Sequence, residues 1–164
     1  MSSYNDLIYL IDMDGTIYRG SRPIQYAKEF IRYLQRGNRI FFLVTNCPGN
    51  SSDALAEKLC TKGIDVEPDN IITSADATAD YLASNTFCSK AYLIGGDALK
   101  EKIAEKGIDI VSEHPDCVVV GYDKEFNYEK MKKATQFILD GAGFICTNVD
   151  STIPDGNKLV PHTG

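Results

Sequence analysis

Apolar and polar positions alternate in blocks along this chain. "LIYLI" (7–11) is a short apolar run of strand length. From Ala27 the period changes: Ala27, Phe30, Ile31 and Leu34 recur at i, i+3, i+4 and i+7, one face of a helix, and Gly37 ends it. "RIFFLVT" (39–45) predicts a second strand, apolar enough to be buried on both faces. Ser51 or Ser52 is placed to cap a helix carrying Leu55, Ala56 and Leu59, stopped at Gly63. "NIIT" (70–73) predicts a third strand, and Ser74 is placed to cap a helix through Leu82.

The second half repeats the rhythm. "KAYLIG" (90–95) and "CVVVGY" (117–122) read as strands, with a helix through Leu99 and Ile103 between them that ends at Gly107. A further helix carries Tyr128, Met131, Thr135 and Ile138, with Asn127 as N-cap and Gly141 just past its end. "GFICTN" (143–148) is one more strand, and the tail "DSTIPDGNKLVPHTG" (150–164) has neither a helix nor a strand pattern. Strand–helix–strand alternation predicts an α/β fold with mostly parallel sheets. The small, polar stretch "ASNTFCS" (83–89) marks a boundary, dividing the chain into residues 1–80 and 81–164.

Composition narrows the function. A net charge of −6 argues against nucleic acid as partner, because phosphate backbones select basic surfaces. No apolar run approaches the roughly 20 residues of a membrane span, and "MSSYNDL" lacks the basic start and apolar core of a signal peptide. The expectation is a cytoplasmic protein. The five cysteines are scattered without C-x-x-C spacing, so they read as reduced, buried thiols rather than a zinc site or disulfide framework. His114 and His162 read as surface histidines, Gly95-Gly96-Asp97 as a turn, and "EKMKKA" (129–134) as a solvated helix face.

The chemistry concentrates where the first strand ends. Asp12, Asp14, Gly15 and Thr16 follow "LIYLI", and Thr45 and Asn46 follow the second strand. In open α/β sheets ligands bind beyond the carboxyl ends of strands, so these groups are predicted to converge. A divalent cation relieves the repulsion between two close carboxylates, and hard oxygen ligands that leave room for water suit Mg²⁺. One carboxylate can attack phosphorus while the other transfers a proton. The amides around Gly15 are predicted to donate to phosphoryl oxygens.

"DMDGTIYRG" (12–20) resembles the first motif of the haloacid dehalogenase (HAD) superfamily, and "LVTNCPGNSS" (43–52) resembles the second motif of its NagD-like, type IIA branch. "GFICTNVDSTIP" (143–154) resembles a segment of that branch's cap. The resemblance implies a Rossmann-like HAD core over residues 1–80 and an α/β cap over 81–164. It implies an aspartyl-phosphate mechanism, with Asp12 as nucleophile and metal ligand, and with Asp14 as general acid/base whose carbonyl also binds Mg²⁺. Gly15, Thr16, Thr45, Asn46, Asn148 and Asp150 are implied to contact substrate. The implied function is Mg²⁺-dependent hydrolysis of small phosphorylated metabolites.

Two positions depart from the family pattern: Cys47 stands where Asn is usual, and "PHTG" (161–164) where "PGAG" is common. The resemblance also implies a phosphate-binding lysine and acidic metal ligands after the cap, and the sequence reaches Gly164 before either. Residues 1–164 alone are therefore expected to bind Mg²⁺ weakly and turn over little. A bare sheet edge would favour a homo-oligomer. The alternative is a truncated, non-catalytic module that binds a phosphorylated ligand or a protein partner.

Overall fold

The computed structural model describes residues 7–47, 49–155 and 158–164. The chain divides into two compact units, one built from residues up to Thr45 and Ser51–Thr73, the other from Asn46–Asn50 and Ser74–Gly164. No helix among the described residues is long and apolar enough to cross a membrane.

The first unit holds a parallel three-stranded sheet in the order β1 (Ile8–Asp12), β4 (Ile40–Thr45), β5 (Ile71–Thr73). Helices α1 (Ala27–Arg36) and α2 (Ser52–Cys60) connect the strands, and a two-residue-per-strand hairpin, β2 (Tyr18–Arg19) with β3 (Arg22–Pro23), follows β1. Ser51, not Ser52, caps α2: its hydroxyl accepts from the Ala54 amide at 3.2 Å. Ile31, Leu34, Leu55 and Leu59 from the two helices bury Phe41 and Leu43 in one core. Because both helices pack on that face, burial alternates along β4 rather than covering both faces. Phe41, Leu43 and Thr45 are buried, while Ile40, with Ile8 and Leu10 of β1, is more than half exposed.

The second unit contains a parallel four-stranded sheet in the order β7 (Asp109–Ile110), β6 (Lys90–Ile94), β8 (Cys117–Val120), β9 (Gly143–Cys146). Here both faces are covered, which explains the unbroken apolar run of β8. Cys117 and Val119 pack with Ala75, Ala79 and Leu82 of α3 (Ser74–Ser84) and Leu99 and Ile103 of α4 (Asp97–Glu105). Val118 packs with Ala134 of α5 (Tyr128–Leu139), with Phe137 and Ile138 alongside.

Several expectations change. The boundary expected at 80/81 falls inside α3, whose apolar face belongs to the second unit's core. Ser74 is the first residue of α3, and its hydroxyl donates to the Asn46 carbonyl at 2.9 Å. Asn127 does cap α5, but Tyr128 and Met131 are exposed; the buried side of the helix runs through Ala134. The tail forms an antiparallel hairpin, β10 (Thr152–Asp155) with β11 (Lys158–Pro161). Its two prolines hid the strand pattern, although Asp155-Gly156 is a hairpin signal. Gly156 itself lies outside the described residues. Cys88 and Cys117 are joined as a disulfide with Cα atoms 5.7 Å apart, contrary to the expectation of reduced thiols.

Beside that bond, Asp116 ties the start of β6 to the start of β8. One carboxylate oxygen accepts from the Ser89 hydroxyl (2.8 Å), the Ser89 amide (2.9 Å) and the Lys90 amide (2.8 Å). These bonds, the Ser89 hydroxyl first, hold the Asp116 carboxyl below its ordinary range. A carboxyl so lowered stabilises the fold above its unfolded pKa, about 4, and loses that contribution as pH falls through the lowered folded value. Asp116→Asn should therefore be less stable than the parent at pH 7, with the difference shrinking on acidification below about pH 4, as read by urea unfolding at several pH values. A pH-independent difference would assign the effect to packing alone.

Candidate active site

The acidic loop is built by alternation. Met13 continues the sheet, its amide donating to the Val44 carbonyl at 3.2 Å, and its side chain is fully buried in the first unit's core. In extended backbone the neighbours of a buried residue point the other way. Asp12 and Asp14 are accordingly exposed at the carboxyl end of β1.

The loop then closes tightly. The Met13 carbonyl accepts from the amides of Thr16 (3.3 Å), Ile17 (2.9 Å) and Tyr18 (3.3 Å), and the Gly15 amide donates to the Tyr18 carbonyl at 2.7 Å. The amides of Gly15 and Thr16 are thus engaged inside the loop, and do not have the phosphoryl-directed arrangement expected of them. Gly15 sits at φ +91°, where a side chain is strained, so its place in the motif is conformational. Ile17 and Tyr18, both buried, anchor the far side of the loop.

Two hydroxyls orient the two acids. Thr16 donates to Asp12 Oδ2 at 3.1 Å, and Thr45, at the end of β4 and 3% exposed, donates to Asp14 Oδ2 at 3.4 Å. The parallel register brings Thr45 there, since Asp12 pairs with Val44. Asp12, Asp14, Thr16 and Thr45 are therefore gathered in the first unit. Met13 was not singled out in the sequence, although an apolar residue between two acids at a strand end is itself the signal for outward-facing carboxylates.

The remaining residues of interest lie in the second unit and form a network of their own. Asn46 donates through its side-chain amide to Asp150 Oδ2 at 3.3 Å, and Asn148 Nδ2 donates to the Asn46 carbonyl at 2.7 Å. Asn148 Oδ1 accepts from the Asp150 amide at 3.1 Å. The Ser74 hydroxyl, also on the Asn46 carbonyl, was missed because Ser74 read as a helix cap.

Residues 9–109 match the family described as haloacid dehalogenase-like hydrolase. An acid sugar phosphatase of Staphylococcus aureus is 41% identical over 157 residues, covering 95% of this chain and 61% of that protein. Among solved structures, NagD from E. coli K-12 superposes with a TM-score of 0.89 at 33% identity, covering 96% of this chain and 61% of NagD. A 4-nitrophenylphosphatase from Thermotoga maritima gives 0.88 at 32% identity, covering 96% and 60%. The chain spans about three fifths of the length of these relatives.

The loop geometry predicts a purely conformational cost at Gly15. A Cβ there meets nothing within 4 Å. Gly15→Ala should lower stability by about 1–2 kcal/mol through the left-handed backbone alone. Chemical denaturation measures it; a loss well under this would mean that the loop relaxes to another conformation.

Proposed function

We propose, on the premise that this chain belongs to the haloacid dehalogenase-like hydrolase family and is NagD-like, that it acts as a Mg²⁺-dependent phosphatase on small phosphate monoesters. The observation that carries the reading is the pair of exposed carboxylates, Asp12 and Asp14, each held by a hydroxyl at the end of a parallel sheet. Thr16 engages one oxygen of Asp12, leaving Oδ1 to attack phosphorus. The P–O bond to the alcohol breaks as Asp14 gives its proton to the leaving oxygen. Water then attacks the aspartyl-phosphate, Asp14 takes the water's proton, and Asp12 is released with inorganic phosphate. The Thr16 and Thr45 hydroxyls set the directions of the two carboxylates, so little reorganisation is needed during reaction.

The donors present suit a hard cation. Asp12 and Asp14 offer exposed oxygens, and no group of three or more His, Cys, Asp or Glu side chains among the described residues forms a metal cage. Mg²⁺ keeps several waters and takes one or two carboxylates plus substrate oxygens, which this set allows. Asp12 and the Asp14 carbonyl would hold it, and bound there it would neutralise phosphoryl charge.

Asn46, Asn148 and Asp150 are assigned to substrate choice. Similarity to an acid sugar phosphatase and a 4-nitrophenylphosphatase supports compact sugar phosphates as substrates and an aryl phosphate as assay.

In any form of the protein that turns over, Asp12→Asn should reduce Mg²⁺-dependent hydrolysis of 4-nitrophenyl phosphate by on the order of 10³-fold or more, since an amide cannot form the acyl phosphate. Substantial activity in that variant overturns the assignment of the nucleophile. Phosphate binding without any turnover in a longer form, carrying the lysine and acidic ligands that the family resemblance implies, would instead favour a non-catalytic module.

A second outcome concerns specificity. Asp150→Ala should change the ratio of kcat/KM for sugar phosphates to that for 4-nitrophenyl phosphate by about tenfold, the size of one net hydrogen bond. An unchanged ratio would confine Asp150 to its bonded loop.

A further inference from the structure

Asn46 and Ser74 leave one sheet side by side. Thr45 of β4 and Thr73 of β5 are register partners, and each is followed at once by one of these two residues. Both residues then belong to the second unit. Their circumstances differ. Ser74 begins α3, and the Thr78 hydroxyl closes the first turn by donating to the Ser74 carbonyl at 2.7 Å. Ala75, Ala79 and Leu82 bury one side of that helix in the second unit's core. Asn46 is exposed and lies in no helix or strand.

The Asn46 carbonyl joins the two. It accepts from the Ser74 hydroxyl at 2.9 Å and from Asn148 Nδ2 at 2.7 Å. A carbonyl oxygen has two lone pairs, so these two donors fill it. From there the bonds close into a ring. Asn148 Oδ1 accepts from the Asp150 amide at 3.1 Å, and Asp150 Oδ2 accepts from Asn46 Nδ2 at 3.3 Å. A ring made of loop residues fixes its internal geometry but not its place. Ser74 ties it to a packed helix.

That bond has two opposed effects on Asn148. A second donor on one oxygen draws electron density away from the first bond and weakens it slightly. It also fixes the direction of the carbonyl, so that Asn148 meets an acceptor already in place. Ordering the backbone of a loop residue costs at least as much as one net hydrogen bond returns, so direction is the larger effect.

We infer that Ser74 is a positioning residue for substrate choice: by fixing the Asn46 carbonyl it holds Asn148 and Asp150 in one arrangement. This rests on the reading, proposed above, that Asn46, Asn148 and Asp150 choose the substrate. Ser74 acts through Asn46 and not on the substrate itself. Side chains held in place bind polar groups without a further ordering cost. A phosphate ester whose alcohol carries hydroxyls therefore gains more from Ser74 than 4-nitrophenyl phosphate, whose leaving group has no other hydroxyl.

The test follows the side-chain amide ¹H–¹⁵N signals of Asn46, Asn148 and Asn85 in the parent chain, Ser74→Ala and Ser74→Thr. Asn85 is the internal reference, since its Nδ2 donates to the Tyr81 carbonyl at 2.6 Å at the far end of the same helix. In Ser74→Ala the Asn148 amide protons should exchange with solvent about fivefold faster, the weight of one net hydrogen bond. The Asn46 signals should move and those of Asn85 should stay. Ser74→Thr restores the hydroxyl and should return Asn46 and Asn148 toward their parent values. The inference is overturned if Asn148 exchange in Ser74→Ala is unchanged or slower, if Asn85 changes equally, or if Ser74→Thr restores nothing while Asn85 holds. In a form of the protein that turns over, Ser74→Ala should also shift the ratio of kcat/KM for glucose 6-phosphate to that for 4-nitrophenyl phosphate in the same direction as Asp150→Ala, by about threefold. An unchanged ratio in Ser74→Ala beside a changed one in Asp150→Ala overturns the inference. An unchanged ratio in both, with the amide response present, overturns instead the reading that these residues choose the substrate.

Discussion

The burial of Met13 is the constraint on which the acidic site depends. Its side chain fills the first unit's core, its amide extends the β1–β4 ladder, and its carbonyl gathers three amides of the following turn. With that residue committed inward, period-two backbone leaves Asp12 and Asp14 no direction but outward. A slip of one residue would bury both carboxylates and expose the methionine. The two charges are thus held side by side through the packing of the apolar residue between them.

The second unit secures its loops differently. Its sheet is covered on both faces, and the early ends of β6 and β8 are tied by the Asp116 bonds and the Cys88–Cys117 disulfide. At the opposite ends, the Gly96 amide bonds the Tyr122 carbonyl and the Thr147 amide bonds the Val120 carbonyl. The loops carrying Tyr122, Lys124, Asn148 and Asp150 therefore leave a braced sheet. In both units the candidate groups follow the carboxyl ends of parallel strands, where helices and strands diverge and leave backbone and side chains open to ligand.

Much of this was legible in the chain. The period changes placed β1, β4, β5, β6, β8 and β9 and helices α1 to α5 of the described residues, because each covers enough residues for its pattern to show. Asp12, Asp14 and Thr45 were identifiable from D-x-D-G-T and the strand ends alone, and the structure brings them together with Thr16. The short pairings β2–β3 and β7 were not legible, since two residues carry no periodicity. Nor was the β10–β11 hairpin, whose prolines at 154 and 161 read as loop residues.

The sequence by itself determined which residues are local neighbours and which faces are apolar: the acid–methionine–acid alternation, a serine cap at 51 or 52, the Asn127 cap, and the continuous apolar run of β8. Only the tertiary structure decided pairings between distant segments. It set Cys88 beside Cys117, Asn46 beside Asn148 and Asp150, and His162 on Tyr122. The physical reason is range. Backbone alternation and capping act within a few residues, whereas a disulfide, a side-chain network or a ring stack depends on how sheets and helices bring remote positions together. His162 looks solvent-bound as a lone polar residue near the chain end. Its ring nitrogens become buried, without a partner among the described residues, once the tail packs His162 on Tyr122.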